Sequence, residues 1–163
     1  FDLVGYNLRS TNINAAIGLA QFQKLDQWIA IRRQNHQHFL MRIRELDVIS
    51  QKVDLNESTS FCLPLIFRTK EQKEYVIRNL SRKGIEGRSV VAGNLLHQPV
   101  FRTMGLRADK MPMANLIHDN GLYLPNNQFI TLEKVDYIVD AVKELLQEIP
   151  DAFVFLKKQG DGI

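Results

Sequence analysis

The chain has 163 residues, of which 45% are hydrophobic, so it can bury the core of about one domain. Its 21 basic and 18 acidic side chains give a formal charge of +3 and are spread along the sequence, which demands no nucleic-acid partner. The single cysteine, Cys62, excludes an internal disulfide and indicates a small buried residue in a reducing, cytoplasmic protein. No apolar stretch approaches the roughly 20 residues of a membrane span. Because the sequence starts at Phe1 without methionine, we expect a fragment of a longer protein.

The first predicted element is one long helix, with or without a kink, from Thr11 to about Leu46. No proline interrupts this stretch, and its apolar residues recur mostly at steps of three and four. Thr11 is a suitable N-cap, with Asn14 in the first turn. The polar residues after Asp47 predict a loop.

Three short strands are predicted further along the chain. The apolar run Phe61–Phe67 is typical of a strand, although Pro64 lacks a backbone donor and favours an edge strand or a bulge. The segments 85–93 and 122–125 supply the second and third strands.

Three further helices separate or follow these strands. Thr69 and Gln72 form a capping-box pattern at the start of a helix that stops at Gly84. Pro112 suits the first turn of the next helix. Thr131 opens the last helix, which carries the clearest apolar stripe, formed by Val135, Ile138, Val139, Val142, Leu145, Leu146 and Ile149. The sum predicts an α/β (α+β) domain with helices packed on a roughly three-stranded, antiparallel or mixed sheet.

Several common catalytic signatures are missing from the sequence. It has no glycine-rich phosphate loop, zinc-ligand spacing or nucleophile elbow, so we predict no catalytic residue and no metal site. His36 and His38 are predicted to be solvated, since side chains two residues apart on a helix point in different directions. For His118 a capping role is predicted.

One polar cluster is a candidate binding site. Arg88, Asn94, His97 and Gln98 lie around a predicted strand end and a Gly-Asn turn, where binding groups are often placed. For His97, a structural role and a ligand-binding role are equally compatible with the pattern.

Three ordered segments together resemble a known family. "GYNLRSTNINAAIGLAQFQKLD" resembles the family pattern GYN-x-R-x-T-x-x-x-AAIGLAQ-x-x-KLD. "GIEGRSVVAGNLLHQPVF" and "HDNGLYLPNN…TLEKVDYIVDAVKEL" are similar to the two segments that follow it. On these matches the chain resembles the DegT/DnrJ/EryC1/StrS family of nucleotide-sugar aminotransferases and 3-dehydratases, which depend on pyridoxal phosphate (PLP) or pyridoxamine phosphate (PMP).

The resemblance implies the small carboxy-terminal domain of a fold-type-I enzyme. Residues 1–149 would form this domain, and residues 150–163 a loosely ordered tail. The Schiff-base lysine and the aspartate of the pyridinium nitrogen would belong to a preceding large domain, and the lysines of this chain are expected to be solvated. The chain alone is therefore expected to bind no cofactor and to be inactive.

The resemblance also assigns site residues. Asn7 matches the asparagine that reaches the cofactor phosphate of the neighbouring subunit in the family's dimers, where an amide can donate to a phosphate oxygen. Arg9 could contact a nucleotide-linked substrate, or be a surface charge. "AGNLLHQP" resembles the AGNL-x-x-QP of the 3-dehydratases, which act on 4-keto-6-deoxy sugar nucleotides. This favours the 3-dehydratase branch over transamination, with Arg88, Asn94 and His97 as substrate-side groups, in polysaccharide or lipopolysaccharide synthesis.

Two alternatives belong to other classes. A basic module could bind nucleic acid through the arginines of the long helix, Arg32, Arg33, Arg42 and Arg44, although these do not share one face. An isolated domain could also self-associate through apolar surface on the first helix, including Phe22 and Trp28.

Overall fold

A computed structural model describes residues 11–106 and 111–149 of the chain. The predicted tail at 150–163 lies outside them. The helices are α1 (Asn12–Phe22), α2 (Leu25–Arg42), α3 (Lys70–Leu80), α4 (Pro99–Thr103), α5 (Pro112–Asn120) and α6 (Leu132–Gln147). The strands are β1 (Val48–Ile49), β2 (Cys62–Phe67), β3 (Arg88–Ser89) and β4 (Gly121–Pro125).

The predicted long first helix is two helices. Thr11 caps α1 as expected, because its hydroxyl accepts the backbone N–H of Asn14 at 3.2 Å. The end of α1 is a turn of 3-10 type, since the N–H of Lys24 donates to the carbonyl of Gln21, three residues back. Neither proline nor glycine marks this break. The described part of α1 buries none of its side chains, whereas α2 buries one face in the core.

The sheet has four strands in the order β1-β2-β4-β3, and every neighbouring pair is antiparallel. The two-residue strand β1 lies where a loop was predicted. The expectation of an edge strand at Pro64 is wrong, because β2 lies between β1 and β4. Pro64 is tolerated there because the pairing between β1 and β2 ends at Ile66, so no residue of β1 needs a backbone donor from Pro64. The carbonyl of Pro64 accepts a hydrogen bond from the Ser50 hydroxyl at 2.7 Å.

The sheet has one buried face and one open face. In β2, Leu63 and Leu65 are buried and lie opposite Leu124 and Leu122 of β4. The alternate residues, Pro64 among them, point to the other face and are only partly buried. The helices cover the first face, so the fold has two layers.

Local capping signals place the helices that cover the sheet. The capping box of Thr69 and Gln72 starts α3, and Gly84 follows the last turn with a φ of 70°. Thr131 caps α6 through the N–H of Lys134. The apolar stripe of α6 joins the core with α2, α3 and the two central strands. Its buried members are Val135, Ile138, Val139, Val142 and Leu145.

Three expectations about single residues are wrong. His36 is completely buried, because it shares the inner face of α2 with Phe39. Lys73 is also buried, at 8% exposure, because it lies near the start of α3 on the face that packs against the rest of the domain. Cys62 is only partly buried, because it points to the open face of β2.

The described residues hold neither a membrane-spanning helix nor a cluster of metal ligands. Within residues 11–106 and 111–149, no helix is both long enough and apolar enough to cross a membrane. The same residues contain no group of three histidine, cysteine or acidic side chains that could hold a metal ion.

Candidate substrate-side turn

Edge strand β3 presents a charged pair on the open face of the sheet. The Arg88 Nε donates to Glu86 Oε1 at 2.7 Å, and Nη2 donates to the same oxygen. Its hydrogen bonds to Glu86, together with the negative charge of that carboxylate, raise the pKa of Arg88. Arg88 lies opposite Tyr123 of β4, and its side chain is exposed. The strand therefore displays a permanently charged guanidinium beside a phenol ring.

The chain reverses directly after β3 in a tight turn. The N–H of Gly93 donates to the carbonyl of Val90 at 3.0 Å. Ala92 and Gly93 both have left-handed backbones, with φ of 57° and 53°. A left-handed alanine is unfavourable by roughly 1–2 kcal/mol, so this conformation needs support from its neighbours. Part of that support is the Gln98 side chain, which donates to the carbonyl of Ala92 at 3.2 Å.

Asn94 fixes the next step of the chain and is 4% exposed. Its Oδ1 accepts the N–H of Leu96 at 3.0 Å and so caps the short 3-10 helix Leu95–His97. Its Nδ2 donates to Asn115 Oδ1 on α5 at 2.7 Å. The side chain thus holds the turn against α5. Its contact with a substrate remains a prediction.

Two histidines pack together beneath the turn. The His97 and His118 rings meet edge to face, with centroids 4.7 Å apart. Nδ1 of His118 accepts the backbone N–H of Asn94 at 3.2 Å. His118 therefore supports the turn from α5 instead of capping its own helix, which corrects the role predicted for it.

Arg88, Asn94 and His97 follow one another along the segment from β3 to the 3-10 helix, but Arg88 pairs with Glu86 on the open face whereas Asn94 is held against α5. Their common role in a binding site stays a prediction. Asn7 and Arg9 lie outside the described residues. Sequence reasoning missed Glu86, although its place two residues before Arg88 puts both side chains on one face of an extended segment. It also missed His118, because nothing local to that residue signals a partner that is 24 positions away.

A family model decides the classification. The model of the DegT/DnrJ/EryC1/StrS aminotransferase family matches residues 1–143. The chain belongs to this family. Its resemblance in three ordered segments is thereby confirmed.

Two curated relatives of this DegT/DnrJ/EryC1/StrS chain have different reactions in their names. A GDP-4-keto-6-deoxy-D-mannose 3-dehydratase of Escherichia coli O55:H7 is 29% identical over 88% of this chain. A GDP-perosamine synthase of Escherichia coli O157:H7 is 31% identical over 90% of it. The chain spans only 38% and 39% of the length of these two relatives.

Solved structures of family members share the fold. The E. coli GDP-4-keto-6-deoxy-D-mannose-3-dehydratase with bound hydrated PLP superposes with a TM-score of 0.72 at 26% identity, over 86% of this chain and 37% of that one. A Helicobacter pylori aminotransferase of pseudoaminic acid biosynthesis reaches 0.73 at 17% identity, over 90% and 40%, which shows the fold alone. The predicted fold class, a part of a fold-type-I PLP enzyme, is confirmed.

The cavity lined by Lys70, Lys73 and Asp119 lacks the groups of a PLP site. Such a site needs a lysine for the cofactor aldehyde and a carboxylate for the ring nitrogen. Among residues 11–106 and 111–149, Lys73 is the buried lysine, but the carboxylate beside it, Asp119, lies 3.8 Å from Lys70 Nζ. No phenylalanine, tyrosine or tryptophan lines their cavity to stack on a cofactor ring.

Proposed function

We propose that residues 1–149 form the carboxy-terminal small domain of an enzyme that uses PLP or PMP on a nucleotide-linked 4-keto-6-deoxy sugar. The favoured reaction is 3-dehydration, in the synthesis of a polysaccharide or lipopolysaccharide. The observation that carries this proposal is the turn after β3, which has the "AGNL" sequence and displays Arg88 beside it. The similarity to a GDP-4-keto-6-deoxy-D-mannose 3-dehydratase supports it.

In this proposal the turn supplies the substrate-side contacts. The Arg88 guanidinium is exposed and can bind an anionic or hydroxylated part of the nucleotide sugar. Asn94 sets the shape of the turn, and His97 extends from it beside His118. Asn7 would donate to the cofactor phosphate of the neighbouring subunit, and Arg9 would bind the substrate nucleotide.

The second candidate reaction is transamination of the same class of sugar. It is favoured by the 31% identity to a GDP-perosamine synthase. Dehydration removes the oxygen at carbon 3, whereas transamination replaces the 4-keto oxygen with an amino group. Mass spectrometry of the sugar product after incubating the full-length enzyme with PLP, glutamate and GDP-4-keto-6-deoxymannose distinguishes the two, and an unchanged sugar contradicts both.

The 163-residue chain alone should be inactive, because the family's cofactor lysine belongs to the large domain. An absorbance scan of the chain with added PLP and a single-turnover assay test this expectation. A stable new absorbance band of chain-bound PLP, or any turnover, would contradict it.

The parent enzyme should be a cytoplasmic homodimer. The dimer is supported by α1, whose apolar side chains Ile13, Ile17, Leu19 and Phe22 are all exposed in this chain. The cytoplasm is supported by Cys62, since the 163 residues hold no second cysteine with which it could form a disulfide.

Nucleic-acid binding has little support, since two of the three arginines of α2 pair within the chain. Arg33 donates to the carbonyls of Asn56 and Ser58 at 2.7 and 3.1 Å. Arg42 pairs with Asp136 and Asp140 across to α6. A salt titration of DNA binding should accordingly show no steep dependence.

A further inference from the structure

A polar cavity of about 340 Å³ lies on the helix side of β3, behind the Ala92–Gly93 turn. Ser89 belongs to this side, because it follows Arg88 in the strand and lies opposite the buried Leu122. The polar side chains that line the cavity are Lys70, Lys73, Ser89, Gln98, His118 and Asp119.

Lys73 is the unusual member of this set. Only 8% of its surface is exposed, so its aliphatic stem is buried. Its Nζ has no hydrogen bond or ion pair within residues 11–106 and 111–149, and it is not among their fully buried atoms, so the ammonium opens to the cavity. Since the side chain lines the cavity, an anion that entered would supply the partner that the chain does not.

The other groups make the cavity a net positive one. Lys70 lies one turn before Lys73 on α3, and its Nζ is 3.8 Å from Asp119, so two ammonium groups face one carboxylate. The amino-terminal end of α3 adds partial positive charge at the same place.

Neutral donors complete the lining. Because Nδ1 of His118 accepts the Asn94 N–H, the neutral imidazole carries its proton on Nε2 as a donor. Gln98 uses one amide proton on the Ala92 carbonyl and keeps a second, and Ser89 contributes a hydroxyl. Several donors around two cations suit an anion with several oxygens.

We propose that this cavity is a binding site for a phosphate group, taken up either as inorganic phosphate or as a phosphate monoester. The proposal is independent of the reaction of the parent enzyme, because it involves only side chains of this chain and can be tested on the chain itself.

The test is calorimetric titration of the 163-residue chain with potassium phosphate at constant ionic strength. We expect saturable binding that Lys73→Met weakens about tenfold or more, since a charge-assisted hydrogen bond is lost. Asp119→Asn should instead tighten binding by removing the opposing charge. Lys143→Met, which removes a surface lysine of α6 outside the cavity lining, is the matched control and should change nothing.

A second ligand distinguishes a phosphate monoester from free phosphate. Ribose 5-phosphate in a parallel titration identifies the source, with tighter binding than phosphate indicating a monoester and weaker binding indicating the free ion. If Lys73→Met fails to fold, Lys70→Met serves instead, because Lys70 is exposed. The proposal is overturned by the absence of saturation with both ligands, or by equal affinity in the cavity variants and the control.

Discussion

Gly93 is the residue on which the substrate-side turn depends most directly. Its φ is 53°, and a Cβ built on its backbone would overlap Nδ1 of His118. Gly93→Ala should therefore lower the free energy of unfolding by about 3 kcal/mol, of which about 1 comes from the backbone and the rest from displacing His118. Urea denaturation measures the change.

A second glycine separates these two causes. Gly105 has a φ of 75°, but a Cβ there would meet nothing within 4 Å. Gly105→Ala should cost only about 1 kcal/mol. Equal losses in both variants would show that His118 does not restrict the turn.

His36 makes stability depend on pH. Both ring nitrogens are buried without a hydrogen-bond partner, and burial lowers its pKa below the ordinary 6.5. As the pH falls through 6.5 the unfolded chain takes up a proton that the folded chain does not, so stability is lost until the folded pKa is passed.

His36→Leu should remove this dependence and stabilise the chain by about 1 kcal/mol near neutral pH, because two unsatisfied polar atoms leave the core. Thermal melts of both proteins at about pH 7 and about pH 5 are the measurement. A wild-type chain that loses no more stability than the variant on acidification would refute the role of His36. The sequence could not predict this burial, because the residues around His36 on α2 mix polar and apolar types without a clear stripe.

At the scale of elements, the sequence predicts what local signals determine. The caps Thr69 and Thr131 each satisfy a backbone donor three residues away, so α3 and α6 begin where expected. Strand β1 was missed because its two residues become a strand only by pairing with Phe67 and Ile66 of β2. The break between α1 and α2 has no proline or glycine signal, and it separates a helix that buries no side chain from one that packs on the core.

Asn126 joins elements that are distant in the sequence and is almost fully buried. Its Nδ2 donates to the carbonyls of Arg32 on α2 and Ser60 before β2, at 3.0 and 2.9 Å. Its Oδ1 accepts Nδ2 of Asn35 at 3.2 Å. Asn126→Ala should lower the free energy of unfolding by about 3 kcal/mol, because buried partners lose their hydrogen bonds.

The neighbouring Asn127 is the control, measured by the same urea denaturation. Its Oδ1 accepts only the N–H of Phe129, at 2.8 Å in an exposed turn. Asn127→Ala should cost about 1 kcal/mol or less. A loss for Asn126→Ala as small as this would mean that the amide does not join α2 to the sheet.

At the scale of the whole molecule, the fold class was predictable and the arrangement of the sheet was not. The stripe of α6 and the apolar run of β2 indicate helices on a sheet, whatever the strand order. The order β1-β2-β4-β3 depends on pairing between segments far apart in the chain, which no local pattern encodes. The turn after β3 could be located for the same reason as α6, since its residues are close in sequence, and its contact with a substrate stays a prediction.

The exposed apolar side of α1 predicts self-association of the 163-residue chain. Phe22 is 72% exposed beside other apolar residues of α1, and such a patch is unfavourable in water. Light scattering should show a mass that rises with concentration, and Phe22→Glu should shift this rise to higher concentration.

Phe129 provides a matched comparison, since it is also 72% exposed but lies in the turn between β4 and α6. Phe129→Glu should leave the association unchanged. A monomer at every concentration, or an equal effect of both substitutions, would contradict the role of α1.

The antiparallel pairing of β2 with β4 has a consequence for how the chain folds during its synthesis. Positions 68 to 120 lie between these central strands, so their pairing closes a long loop, a step that tends to be slow. During translation, β2 leaves the ribosome long before β4 has been made. Until then β2 can pair only with the two-residue strand β1, so its leucines stay largely uncovered, and a nascent chain stalled before residue 121 would be a substrate for chaperones.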